Sequence, residues 1–242
     1  MSMPSLVPAH GALHVAADPA ALADEVAGWF AEQVRASEGP FIVSLAGGST
    51  PRGLYERLAG MTLPWERIHF VFGDERFVPP DDPASNFGMV RGALFSRAPV
   101  PPANVHAVPT VGISLDEAAR AYAATLRGLA RPGRPLLDVT FLGLGDDGHT
   151  ASLLPGQPAT EERSALVVGV GHGRPEPRIT LTYPALEDSG TVAFLVTGDG
   201  KRAILDRVLS GADDVPAGRL RPKGALLWFA DRAAAGRWAD AG

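Results

Sequence analysis

Residues 138–155 read Asp-Val-Thr-Phe-Leu-Gly-Leu-Gly-Asp-Asp-Gly-His-Thr-Ala-Ser-Leu-Leu-Pro, and they bring together the groups in this chain best suited to moving a proton. An apolar β-type run over 139–142 ends in glycines. Two carboxylates, Asp146 and Asp147, follow at once, and His149 stands one glycine beyond Asp147. In an open α/β sheet, ligands bind outside the carboxyl ends of the strands. The spacing therefore sets an imidazole and a carboxylate where a substrate would lie. Imidazole as a side-chain type changes charge near neutrality, which suits general acid–base work. An isolated histidine usually has a structural role, and His10, His14, His69, His106 and His172 are read that way. His149 differs in its adjacent carboxylate and its strand-end position.

Three other groups offer chemistry. Ala46-Gly47-Gly48-Ser49-Thr50-Pro51 lies between an apolar run and a helical pattern. Glycines let a backbone approach a ligand closely, and a helix N-terminus supplies free N–H groups and the positive end of a dipole. Ser49 and Thr50 add hydroxyls. The segment suits a phosphate, although an ordinary strand–helix turn with a hydroxyl cap has the same pattern. It is not a Walker A loop, because Gly-Lys-Ser/Thr is missing. Gly73-Asp74-Glu75-Arg76 follows a second apolar run. Arg76 suits a two-pronged grip on a phosphate or carboxylate and Asp74 suits sugar hydroxyls; a charged surface turn is the plainer reading. Late in the chain, Arg178 opens Arg-Ile-Thr-Leu-Thr, and Lys201 begins a helix after Gly198-Asp199-Gly200. A lysine there opposes the helix dipole, which makes sense if it serves an anion. Lys201 and Lys223 are the only lysines among 22 basic residues.

Other chemistries find no support. Gly143-Leu-Gly-Asp-Asp-Gly148 formally matches the dinucleotide signature G-x-G-x-x-G. It lies late in the chain, however, and no strand ending in an acidic residue follows about 20 residues on. Asp147 and His149 also occupy the positions where the helix should begin. There is no G-x-S-x-G elbow and no H-E-x-x-H, and the histidines lack metal spacing, so neither a serine-hydrolase triad nor a metal site is expected. The absence of cysteine excludes disulfides, thiolate zinc sites and cysteine nucleophiles.

The elements that must position these residues follow from periodicity. Helical spacing covers 20–35, behind Asp18-Pro19 as N-cap and first helical residue, and also 52–59, 86–95, 114–129 and 201–209. The fourth of these opens in capping-box form, Ser-Leu-Asp-Glu. Short apolar runs at 41–46, 68–72 and 136–142 read as buried strands, with later strands at 166–170, 179–182, 191–197 and 225–230. Strands alternating with helices predict a three-layer αβα fold around a mostly parallel, Rossmann-like sheet. The 242 residues are expected to form one domain, 1–242, with a proline- and glycine-rich excursion or lid at 79–110. With 45 % hydrophobic residues and 20 % charged, the chain can bury a core and does not have a disordered composition. A net charge of −5 without a basic cluster argues against nucleic acid as a partner. No apolar run reaches the ~20 residues of a membrane span, and residues 1–14 show no signal-peptide pattern. A cytoplasmic location is expected.

Taken together and in order, several segments resemble the 6-phosphogluconolactonase family. They are Ser44-Leu-Ala-Gly-Gly-Ser-Thr-Pro51, Gly73-Asp-Glu-Arg-Phe-Val-Pro79, Ser85-Asn-Phe-Gly88, Gly143-Leu-Gly-Asp-Asp-Gly-His-Thr-Ala-Ser-Leu-Leu-Pro155, Arg178-Ile-Thr-Leu-Thr-Tyr-Pro184 and Gly200-Lys201. The resemblance implies the fold shared with glucosamine-6-phosphate deaminases and ribose-5-phosphate isomerases. It implies a carboxylic ester hydrolase that opens 6-phospho-D-glucono-1,5-lactone to 6-phospho-D-gluconate, the second step of the oxidative pentose phosphate pathway, with no organic cofactor. His149 would be the base and Asp147 its orienting partner. The 6-phosphate would lie at Gly47, Gly48, Ser49 and Thr50 with Arg178 and Lys201 as charge partners, Asp74 would hold a sugar hydroxyl, and Arg76 or glycine N–H groups would hold the oxyanion. The expected partner is this small sugar-phosphate lactone, and the expected state a monomer or weak dimer. The deaminases are the nearest rival. They typically continue after the histidine toward Ala-Phe-Asn-Glu-Pro, whereas Thr150-Ala-Ser-Leu-Leu-Pro155 carries no carboxylate. Two more distant rivals are a non-catalytic sugar-phosphate sensor and a nucleotide-dependent oxidoreductase.

Overall fold

The structure, a computed structural model, describes residues 7–239, so residues 1–6 of the stretch read for targeting lie outside it. In chain order the elements are β1 (Ala12–Ala16), α1 (Pro19–Ala36), β2 (Phe41–Leu45), α2 (Ser49–Ala59), β3 (Ile68–Phe72), β4 (Asp74–Arg76), α3 (Asn86–Val90), α4 (Leu115–Leu129), β5 (Leu137–Gly143), β6 (Val167–Val170), β7 (Arg178–Leu181), α5 (Tyr183–Glu187), β8 (Ser189–Val196), α6 (Arg202–Leu209), β9 (Ala225–Asp231) and α7 (Arg232–Ala235). Six strands form one parallel sheet in the order β1-β9-β8-β5-β2-β3.

The sequence accounts for much of this locally. Asp18 caps α1 by accepting the N–H groups of Ala20 and Ala21, each at 2.9 Å, and the helix buries Leu22, Val26, Phe30 and Val34. Ser114 and Glu117 make the reciprocal capping box of α4. β2 is buried along its whole length, and Val192 to Val196 of β8 are buried in succession. Strands buried on both faces require cover on both sides, which is why they read as unbroken apolar runs rather than as alternation. α1 and α2 pack against each other, α1 reaching β9 and α2 reaching β5 and β8.

Some expectations need correction. The runs at 166–170 and 179–182 do not join the parallel sheet. β7 pairs antiparallel with both β4 and β6 in a separate three-stranded sheet, order β4-β7-β6. Asp74–Arg76 is therefore a strand, not a surface turn, and Asp74 and Glu75 are both buried. The helix expected over 86–95 is α-helical only to Val90 and continues as a π-helix, Arg91–Phe95. α2 begins at Ser49, three residues earlier than the periodicity indicates. The excursion at 79–110 is packed rather than loose. Val90, Ala93 and Leu94 are buried, and the His106 N–H donates to Phe70 of β3 at 2.9 Å.

The topology also opens a crevice. From β2 the chain moves outward to β3, whereas from β5 it moves the other way, toward β8 and β9. That reversal between β2 and β5 is the topological switch point, where open α/β sheets bind ligands. The two strands are tied at their entry ends. The Asp138 carboxylate accepts the Ile42 N–H at 2.7 Å together with Arg131 at 2.6 Å and Arg134 at 3.1 Å. Their ladder is short, matching only Val43 with Val139 and Ser44 with Thr140. Beyond it the carboxyl ends are free to carry separate loops.

Candidate active site

Two buried tyrosines hold strand ends beside this crevice. The Tyr55 hydroxyl, from α2, accepts the Ala46 N–H at 2.9 Å and donates to the Ala46 carbonyl at 2.8 Å. Tyr122, from α4, does the same to Phe72, the last residue of β3, at 2.6 and 3.3 Å. Burial pushes both phenols well above their ordinary range, so they stay protonated as fixed donor–acceptor clamps. Between the ends of β2 and β5 lies a cleft of about 250 Å³ lined by Gly47, Gly48, Gly145, His149 and Ala151 on the loops and by Asp74, Arg76, Asn86, Arg178 and Lys201 around them.

The His149 wall is built on a glycine turn. After β5 no helix begins. Instead the Gly145 N–H returns to the His149 carbonyl at 2.8 Å, and Thr150 Oγ1 donates to the Gly143 carbonyl at 3.0 Å. The imidazole lies so close to Gly145 that a Cβ there would sit 1.9 Å from Nδ1, so glycine is required for the ring to occupy this place. Nδ1 is 2.5 Å from Asp147 Oδ1, and the His149 N–H donates to the same oxygen at 3.1 Å. A carboxylate only accepts, so Nδ1 donates to it, and in the neutral ring Nε2 is the lone-pair acceptor. Nε2 has no protein partner among the described residues. Arg174 Nη2 lies 3.0 Å from Asp147 Oδ2 and 3.1 Å from Nδ1. Partial burial pushes the Asp147 carboxyl up, but the hydrogen bonds from His149 and the charges of His149 and Arg174 outweigh it and hold it below the usual carboxylate range.

The opposite wall is buried. Asp74 Oδ2 accepts Ser152 Oγ at 2.6 Å and lies 3.8 Å from Arg178, while Asn86 donates to the Asp74 carbonyl at 2.9 Å and to its carboxylate at 3.3 Å. Glu75 accepts the N–H groups of Arg76, Asn86 and Phe87, each at 2.7 Å, and the Ser85 hydroxyl at 3.1 Å. Burial pushes its carboxyl up against the pull of those bonds. Arg76 and Arg178 stand directly opposite each other on β4 and β7. Like charges in that register repel, which is tolerated when an anion lies between or beside them. Burial, with Arg76 and Arg174 nearby, pulls the Arg178 guanidinium below its ordinary range despite Asp74. Among the described residues, no group of three or more His, Asp or Glu side chains is disposed to hold a metal ion.

Known proteins share this architecture. Residues 17–228 match the family model described as glucosamine-6-phosphate isomerases/6-phosphogluconolactonase. The chain belongs to that family. A 6-phosphogluconolactonase of Nostoc sp. is 44 % identical over 203 residues, covering 81 % of this chain and 84 % of the relative. The crystal structure of the 6-phosphogluconolactonase of Thermotoga maritima aligns with a TM-score of 0.82 at 35 % identity, covering 91 % of this chain and 99 % of that one. A monomeric glucosamine-6-phosphate deaminase shares the fold, with a TM-score of 0.80 at 21 % identity over 93 % of this chain and 98 % of that one.

The crevice of this family member holds most of the residues named from sequence, though not all. Gly47, Gly48, Asp74, Arg76, His149, Arg178 and Lys201 line one cleft, and Asp147 stands behind His149. Ser49 is exposed, and Thr50 turns its hydroxyl to Thr197 at 2.6 Å, so neither hydroxyl lines the cleft. Lys201 ends a 3-10 turn ahead of α6 rather than beginning the α-helix, and its Nζ meets Asp146 Oδ1 at 2.5 Å. Sequence reasoning gives no site role to Arg174, Asn86 or Ser152. Arg174 sits in a proline-rich stretch with no periodicity, and only the fold brings it to Asp147. Ala151, the one described non-glycine residue at positive φ (47°), lines the cleft beside His149. Such backbone strain concentrates at functional sites, but a sequence does not display it. Among the described residues, no helix is long and apolar enough to cross a membrane.

Proposed function

We propose that this protein hydrolyses 6-phospho-D-glucono-1,5-lactone to 6-phospho-D-gluconate, the second step of the oxidative pentose phosphate pathway, with His149 as general base. The observation that carries the proposal is the His149–Asp147 bond, which in the neutral ring makes Nε2 the lone-pair acceptor, without a partner among the described residues, in a cleft lined by Arg76, Arg178 and Lys201. Nε2 takes a proton from water as the water oxygen bonds to the lactone carbonyl carbon. Asp147 stabilises the imidazolium that results. The bond from that carbon to the ring oxygen then breaks, the same proton passes from Nε2 to the departing oxygen, and the carboxylic acid so formed releases its proton to water to give the gluconate, so atoms and charge balance. Arg76 or the N–H groups of the glycine loops stabilise the oxyanion.

The 6-phosphate lies against Gly47 and Gly48 with Arg178 and Lys201 as its cations, and Asp74 accepts a sugar hydroxyl. Ser49 and Thr50 belong to this cradle through the N-terminus of α2, which offers N–H groups and a positive dipole end to a phosphate. Relatives that carry the lactonase name at 36–44 % identity support the reaction class. So does the stretch after His149, Thr150-Ala-Ser-Leu-Leu-Pro155, which lacks the carboxylate that ring opening of an amino sugar would use. The substrate is a small molecule, the reaction needs no organic cofactor, and we place it in the cytoplasm.

The test generates the lactone in situ with glucose-6-phosphate dehydrogenase and reports its product with 6-phosphogluconate dehydrogenase. Wild type is expected to accelerate product formation well above spontaneous hydrolysis. Well-folded wild type without acceleration would overturn the proposal and turn attention to ammonia release from glucosamine-6-phosphate.

A further inference from the structure

Ser85-Asn86-Phe87-Gly88 has no part in the reaction described above, yet Asn86 reaches the cleft. It is held there firmly. The Asn86 N–H donates to Glu75 at 2.7 Å, Ser85 caps the helix by accepting the Gly88 N–H at 3.0 Å, and the side chain is almost wholly buried, with 3 % of the residue exposed. Its amide orientation follows from its neighbours. The two atoms nearest Nδ2, the Asp74 carbonyl at 2.9 Å and the Asp74 carboxylate at 3.3 Å, can only accept. The NH₂ group must face them. Oδ1 therefore points the other way, over Gly47, so close that a Cβ at position 47 would lie 1.9 Å from it. Gly47 is glycine because this oxygen occupies the space its side chain would need.

Oδ1 accepts no hydrogen bond among the described residues. Asn86 lines the cleft, so Oδ1 is left to accept from a donor that enters it. A sugar phosphate near neutral pH has few donors to offer. Its phosphate oxygens and lactone carbonyl accept, and its hydroxyls donate. We propose that Asn86 Oδ1 is a specificity-determining acceptor that takes the hydrogen of one substrate hydroxyl, beside the hydroxyl held by Asp74. The pair forms a wall with acceptors side by side, fixed by Glu75 and Ser152 before substrate arrives. It selects a polyol chain with hydroxyls at two positions over a deoxygenated one. This inference rests on the sugar-phosphate reading of the cleft and adds the residue that reads a second hydroxyl.

The test measures dissociation constants of 6-phosphogluconate and its singly deoxygenated analogues, by inhibition or direct binding, for wild type and Asn86→Ala. A lost neutral hydrogen bond corresponds to about a fivefold weakening. Wild type is expected to bind one deoxygenated analogue about fivefold worse than the parent, over and above the position that Asp74→Ala affects. Asn86→Ala is expected to bind parent and that analogue alike, while its preferences at the other positions persist. If Asn86→Ala weakens every analogue by one common factor and keeps the wild-type pattern, Asn86 only supports the wall and the proposal is overturned. Asn86→Ser replaces the alanine variant if thermal unfolding shows that alanine prevents folding. The wild-type panel decides without any variant as well, because equal binding of every deoxygenated analogue also overturns the proposal. Lactone turnover by wild type is scored separately. Its absence sinks the lactonase reading, while the analogue pattern still decides the role of Asn86.

Discussion

The two walls of the cleft are built on opposite principles. The His149 wall is a glycine turn at the mouth, with Asp147 and Arg174 about half or one-third exposed. The Asp74 wall lies on a short antiparallel strand, and Asp74, Glu75, Asn86 and Ser152 are all buried. A group that exchanges protons with water needs access to water and one fixed partner that sets its tautomer. A group that recognises neutral hydroxyls competes with water for them, and does so best when it is already desolvated and held by partners that cannot rearrange. On the proposed mechanism, chemistry belongs to the open wall and recognition to the closed one. Mutations on the first should alter turnover with little effect on folding, and mutations on the second should alter folding and affinity together.

His149→Ala tests the open wall most severely. One general base typically contributes ~10²–10⁴-fold, so turnover is expected to fall by about that factor while the thermal unfolding midpoint stays near wild type. The coupled lactone assay and a melting curve check both halves. A folded variant of equal activity would remove His149 from the mechanism.

Glu75→Ala makes the reverse case. It strands three main-chain N–H groups and the Ser85 hydroxyl inside the protein, and unsatisfied buried donors cost roughly 1–3 kcal/mol each. Some of that is recovered by water, leaving an expected loss of about 3 kcal/mol, or about 10 °C in midpoint for a chain of this size. Because Glu75 holds Asn86, and Asn86 holds Asp74, KM should rise more than kcat falls. An unchanged melting curve would show that the closed wall is not preorganised by Glu75.

The same contrast governs what the sequence displays. The open wall is local: Gly145, Asp147, Gly148 and His149 are neighbours in the chain, and their spacing carries the geometry. The parallel strands are legible because burial on both faces leaves unbroken apolar runs, and the caps of α1 and α4 because Asp18 and Ser114 act within one turn. The closed wall is assembled from positions 74, 86, 152 and 178, joined through the pairing of β4 with β7 and through the hydrogen bonds of Asn86 and Ser152 to Asp74. A three-residue strand of Asp, Glu and Arg has no periodicity to show, so it resembles a surface turn. β1 escapes sequence reasoning because an edge strand with alternating partial burial resembles an irregular tail. Ser49 and Thr50 look like ligand hydroxyls because nothing local says that Thr50 faces Thr197. Sequence shows what lies within a turn of itself; the buried half of this site is a product of topology.

Asp147→Asn asks how much of the open wall depends on tautomer. The asparagine amide can donate to Nδ1, which moves the ring proton to Nε2 and disables the base. Where such an aspartate is deeply buried, the loss reaches ~10⁴-fold. Here side-chain exposure lets water restore part of the preferred tautomer, and a loss of about ten- to a hundredfold in kcat is expected, with KM little changed. A larger rise in KM than fall in kcat would mean that Asp147 binds substrate rather than orienting His149.

Arg174→Ala is expected to have the smallest effect, and pH reveals it. Burial raises the Asp147 carboxyl, but the bonds from His149 and the Arg174 charge win and depress it. A depressed carboxylate gives its benefit above its ordinary range, near ~3.9, and loses it only as pH falls through the depressed value. Removing Arg174 takes away one depressing charge, so Asp147 should protonate at higher pH and the low-pH part of the acid limb of kcat, which reports Asp147, should move upward. With Asp147 46 % exposed in its side chain, solvent screens the effect, and only a small upward shift is expected. The check is kcat from about pH 3.5 to 7 for wild type and variant, bracketing the ordinary carboxylate and imidazole ranges, with spontaneous hydrolysis subtracted. An unshifted limb with a raised KM would move Arg174 from the proton-transfer wall to the substrate's anionic end, and the division between the two walls would have to be redrawn at that residue.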